Sequence, residues 1–110
     1  MKIISELSEM IEDEIGDIEK YSKAALELKE SHPDIADTFY KLSIEEDHHR
    51  EMLHTAVTNL IEQTKKEGKA VPDSMMDFYE YLHKRHICEY EKALRFQQMY
   101  KKWVDTGMNV

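Results

Sequence analysis

Glu46 and His49 lie three residues apart in the stretch IEEDHHREML, so a helix presents both on one side. His86 and Glu89, in HICE, repeat that pair in reverse order. A carboxylate and an imidazole held side by side can ligate a divalent ion such as iron or manganese. They can equally form a hydrogen-bonded charge pair. Glu45 and His48 offer the same spacing one residue earlier. The chemistry therefore depends on which pair faces inward and whether another carboxylate, above all Glu14, reaches the same level.

The elements that must position these groups follow from the breakers. The chain has 110 residues with only 3 Gly and 2 Pro, a composition that favours long helices. ESHPD (30–34) and KKEGKAVPD (65–73) are the two turn clusters, with Pro33 and Pro72 suited to a first helical turn and Gly68 to a helix stop. DTGMNV reads as a frayed end. We predict three helices, near 2–30, 33–67 and 72–104, in one domain over 1–110. The short connections make neighbours antiparallel.

Alternating steps of three and four define a stripe on each helix. The first is Ile4, Leu7, Ile11, Glu14, Ile18, Tyr21, Ala25, Leu28; the second is Ile35, Phe39, Leu42, Glu46, His49, Leu53, Ala56, Leu60. The third is Met75, Tyr79, Leu82, His86, Glu89, Ala93, Phe96, Tyr100, Trp103. Each is apolar except near its middle, where Glu14, Glu46, His49, His86 and Glu89 intervene. Folding at the two turns brings all five to one level. Glu45 and His48 are rotated away by about 100° and face solvent or a partner.

Burying these groups unpaired costs several kcal/mol per charge. A metal cluster would compensate; so would a network of Glu–His pairs across the seam. The face of the third helix is the least clean, because Phe78, Tyr81, Ile87, Tyr90 and Leu94 offer neighbouring apolar positions.

Charge and composition bound the partners. The formal net charge of -8 argues against nucleic acid and anionic membrane. Cys88 is the single cysteine, which excludes an intrachain disulfide and fits a reducing compartment. The first residues do not form a signal peptide, and no stretch is long and apolar enough to span a bilayer. The expectation is a cytoplasmic protein. Among the remaining residues, His32 is expected in a solvated turn, His54 at the surface, and His83 off the stripe. Cys88 is expected to be a packed thiol.

The segment from Glu12 to Leu53, EDEIGDIEKYSKAALELKESHPDIADTFYKLSIEEDHHREML, resembles the ferritin-like superfamily, near the rubrerythrins and the short encapsulated ferritins. The resemblance implies that Glu14 binds metal with Tyr21 two turns later as a catalytic hydrogen-bonding group or electron donor. It implies that Glu46 and His49 form the Glu-x-x-His motif, with Asp17 one turn from Glu14 as a candidate acceptor behind the ligands. Two ions, iron or manganese, and an oxidase, peroxidase or iron-handling activity follow from it. The resemblance implies a four-helix ferritin-like bundle; with three long helices read from the breakers, the fold expected is an all-α antiparallel bundle of three long helices that completes a larger bundle by oligomerisation.

The chain departs from that pattern in having three helices and one inward Glu-x-x-His. Two copies could each donate Glu14, Glu46 and His49 to a shared site, or His86 and Glu89 could complete it within one chain. Either way a homodimer or higher homo-oligomer is expected, with Phe78, Tyr81, Tyr90 and Leu94 as contact candidates. The sequence lacks a Cys-x-x-Cys pair for an electron relay and is small for a storage cage. A metal-free interaction module or structural adaptor is the competing class.

Overall fold

The computed structural model describes residues 2–107. It consists of α1 (Lys2–Leu28), α2 (Pro33–Lys66) and α3 (Asp73–Thr106), with no strand among the described residues. The all-α, three-helix architecture is the one expected. Pro33 opens α2 at a position where a missing N–H costs little. Gly68 adopts φ 72° just after α2, and Gly107 closes α3 at φ 70° while donating its N–H to the Trp103 carbonyl. Only glycine takes this left-handed conformation without a Cβ penalty. The presumed frayed end is thus helical to Thr106, while its last three residues, 108–110, lie outside those described.

Helices of this length make a rod of 56 × 19 × 19 Å. α1 packs against both neighbours, whereas α2 and α3 touch sparingly. At one end Ile4, Ile11 and Ile15 of α1 meet Val57 and Ile61 of α2 and Val71 before α3. At the other end Ala25, Ala36 and Tyr100 form the core, with Phe39 and Tyr40 against it. α1 and α3 therefore run parallel and α2 runs against both. Arg85 pairs with Glu12, and two turns on Lys92 pairs with Glu19 at 3.3 Å, which marks the α1–α3 register.

The rotation of α2 corrects the sequence reading. Its buried line is Ala36, Ser43, Val57, Ile61 and Thr64, one residue beyond the expected stripe. On that stripe Ile35, His49 and Ala56 are exposed and Phe39, Leu42, Glu46, Leu53 and Leu60 half-buried. Small residues explain the choice. Ala36 packs with Ala25 of α1, and Ser43 accepts a hydrogen bond from Gln97 of α3 at 3.0 Å, so small residues take the buried positions of α2 between its neighbours. Ser8 and Ser22 bond the Ile4 and Ile18 carbonyls at 2.8 and 2.6 Å, and so enter the core without an orphaned hydroxyl. This packing also keeps the Glu46 and His49 line out of the centre.

Candidate metal centre

Glu14 stands on the flank of α1, beside the buried Ile11, Ile15 and Ile18. Glu46 and His49 stand on the matching flank of antiparallel α2. His49 Nδ1 lies 3.5 Å from Glu46 Oε2 and 3.7 Å from Glu14 Oε2. One ligand atom from each of the three residues falls within 4.8 Å of the others. The two carboxylate side chains are 23% and 18% exposed, but that of His49 is 55% exposed, so the group opens to the outside at its imidazole.

These residues fit a cation. Glu14 Oε2 is buried and has no hydrogen-bond partner. A buried polar atom left so costs about 1–3 kcal/mol, and more when charged. The 3.5 and 3.7 Å separations exceed a good N–H···O bond. They fall below the ~4.2 Å that two ligand atoms can span when each sits ~2.1 Å from one ion. Two carboxylates and an imidazole are also the donor set that suits iron or manganese.

Of the five expected ligands, the structure brings these three together and leaves His86 and Glu89 outside the group. Glu89 is half-buried with Oε1 3.5 Å from Arg85 Nε. The step of α3 that the sequence reading gave to Glu89 belongs to Tyr90. His86 is buried, as expected, but faces a cavity with His54 and His83. His54, expected at the surface, is half-buried there. Glu45 and His48 are exposed, as expected. Tyr21 is half-buried with its ring stacked on Phe39, centroids 6.0 Å apart. Cys88 is exposed rather than packed.

Sequence reasoning missed the polar contact between α2 and α3. Arg50 donates from Nε to Asp47 Oδ1 at 2.9 Å and from its terminal nitrogen to the Tyr90 hydroxyl at 3.2 Å. The Tyr90 hydroxyl donates to Asp47 Oδ2 at 3.1 Å, and the guanidinium carbon lies 3.9 Å from the Tyr90 ring centre. Burial raises the Tyr90 pKa, and the Asp47 carboxylate adds to the rise. Two turns on, Gln97 donates to Ser43 Oγ at 3.0 Å. Tyr90, expected at an oligomer edge, is thus held inside one chain. The signal available was the i,i+3 pair Asp47–Arg50 on the line of Ala36, Ser43 and Val57.

An all-α bundle with carboxylates and an imidazole gathered from neighbouring helices defines the ferritin-like class. Residues 6–106 match the rubrerythrin family, and the chain belongs to that family. Members typically bind a di-iron site. No curated protein and no solved structure matches the chain. Among the described residues, no helix is long and apolar enough to cross a membrane.

Proposed function

We propose that the protein is a di-iron carboxylate protein of oxidase, peroxidase or iron-handling type, with manganese as the alternative metal, and that Glu14, Glu46 and His49 are its ligands. The observation that carries this reading is the convergence of the three side chains around the unpartnered Glu14 Oε2. Both carboxylates supply negative charge and can bridge; His49 caps from the open side. A bound iron pair would supply the ferrous–ferric chemistry that reaction with oxygen or peroxide requires, and Glu14, Glu46 and His49 would hold it. Tyr21, two turns along α1 and stacked on Phe39, is the proposed hydrogen-bonding group or electron donor.

Three ligands fall short of the four Glu and two His that a two-metal bundle site uses. A second copy related by a two-fold axis doubles the set to that number. The open line of α2 supports this arrangement over completion by α3. Ile35 at 48% and Met52 at 70% exposure flank Glu46 and His49, and Leu42 and Leu53 are only half-covered. Glu89, by contrast, already faces Arg85.

Anaerobic titration with ferrous iron, followed by analytical ultracentrifugation and elemental analysis, tests the reading. The expected result is a dimer holding about two irons, with Glu46→Ala lowering iron affinity by at least ~100-fold while helical content is kept. An iron-free monomer whose melting temperature ignores ferrous iron and manganese would sink the proposal.

A further inference from the structure

A second cluster of imidazoles lies between α2 and α3. His54 of α2 stacks on His83 of α3, with centroids 5.5 Å apart and planes 15° off parallel. Tyr79 stacks on the same His83 at 5.7 Å and 10°. One turn on, His86 is 94% buried by residue (6% exposed), and its Nε2 has no hydrogen-bond partner. These rings line a partly enclosed cavity of about 220 Å³, whose apolar floor is Ile11 and Ile15 of α1. Arg50 and Tyr90 close one side, and Ile87, 44% exposed, stands at its rim.

The cavity differs from the rest of the chain in charge. The protein carries 23 Asp and Glu and a net charge of -8, yet neither residue type lines this cavity. Arg50 and three histidines do. Burial lowers the pKa of His86, and the positive charges of Arg85 and His83 lower it further. Burial acts the same way on His54, reinforced by His83 and Arg50. Where they carry charge these groups repel one another, and Asp47, which pairs with Arg50, is not part of the cavity lining. The three imidazoles do not gather as the Glu14 group does: no trio of ligand atoms here falls within 4.8 Å. A metal ion alone fits the space poorly.

We propose that this cavity binds a small aromatic carboxylate of about one ring. The ring rests on Ile11 and Ile15, and the carboxylate accepts a hydrogen bond from His86 Nε2 and faces the Arg50 guanidinium. A dry cavity of about 150 Å³ suffices for benzene, so 220 Å³ accommodates a ring with a carboxylate. The anion supplies the partner that His86 Nε2 lacks and a negative charge that the cavity lining does not itself provide. This proposal is independent of the metal reading, since it uses none of the three ligands.

The test is NMR titration of the full-length, metal-free chain with benzoate, following the histidine ring signals and the melting temperature. Acetate, toluene and zinc are parallel probes. Benzoate is expected to shift the His83 and His86 signals saturably, to raise the melting temperature, and to bind at least about tenfold more tightly than acetate or toluene. His86→Phe is expected to weaken benzoate at least about tenfold. Ile87→Trp narrows the mouth from the exposed rim without disturbing the core and should do the same. No shift by ~10 mM benzoate, equal binding by acetate or toluene, zinc alone moving these signals, or unchanged affinity in both variants would each overturn the proposal.

Discussion

The protein holds histidines in two settings, His49 at the edge between α1 and α2 and His54, His83 and His86 in the cavity between α2 and α3, and the two differ in their neighbours. At the edge, His49 faces two carboxylates, is mostly exposed, and stands beside a buried oxygen that lacks a donor. In the cavity, His54, His83 and His86 meet no carboxylate; His86 is buried and the other two half-buried, and His86 Nε2 has no hydrogen-bond partner. The first group gathers two carboxylates around one imidazole, whereas the second gathers three imidazoles and Arg50 with no carboxylate in its lining. The rotation of one helix, set by small residues at Ala36 and Ser43, sorts the two. Histidine is therefore no guide to function by itself; the carboxylates around it decide.

The Asp47–Arg50–Tyr90 network is where the two regions adjoin, since Asp47 follows Glu46 and Arg50 lines the cavity. Arg50→Met keeps the apolar stem and removes the charge. It should cost about 1–3 kcal/mol, because Asp47, only 24% exposed, loses its charged partner and keeps the Tyr90 hydroxyl. Chemical denaturation measures this, and a cycle with Asp47→Asn should recover a coupling energy of ~0.5–3 kcal/mol. The same variant should leave iron affinity within about twofold, since none of the three ligands changes. A large loss of iron binding in Arg50→Met would break the separation between the regions.

Much of this was legible in the chain. The breakers at Pro33, Gly68 and Pro72 fix the helices to within a few residues, because each carries a backbone constraint that packing cannot override. The stripe through Glu14 and the Glu46–His49 spacing brought to one level three residues that the structure also gathers. Their depth was misjudged. A walk that follows large apolar residues puts Leu42 and Leu53 in the core, whereas the small residues Ala36 and Ser43 take buried positions of α2. On α3 the choice between Glu89 and Tyr90 could not be made from periodicity, since a three-residue and a four-residue step both follow the helix. The partner decided it: Asp47 and Arg50 accept a phenol and leave Glu89 to Arg85.

A smaller effect distinguishes the two regions by acid. His86 and His54 have folded pKa values below their ordinary 6.5, by burial first and by neighbouring positive charge second. The unfolded chain then takes up these protons first. Stability from this source is fully present above pH 6.5 and is lost as the pH falls towards the folded values. Melting temperature measured downwards from pH 8 should fall below that point, and His86→Phe should flatten the fall. An unchanged slope in His86→Phe would show that the cavity does not treat His86 as a covered base.

The smallest expected effect tests the edge most sharply. His48 and His49 are adjacent, and each lies three residues after a glutamate. Their spacing from a glutamate is the same, but the stripe sets them on different faces, and Glu14 reaches only His49. His48→Ala removes an exposed ring that contacts neither carboxylate of the group. It should leave stability within ~0.5 kcal/mol and iron affinity unchanged. His49→Ala should leave stability equally intact, because its side chain is already 55% exposed, while lowering iron affinity as Glu46→Ala does. Equal losses from the two histidine variants would mean that a partner copy recruits the outward pair too. The metal would then belong to a wider face of α2 than Glu14 can define.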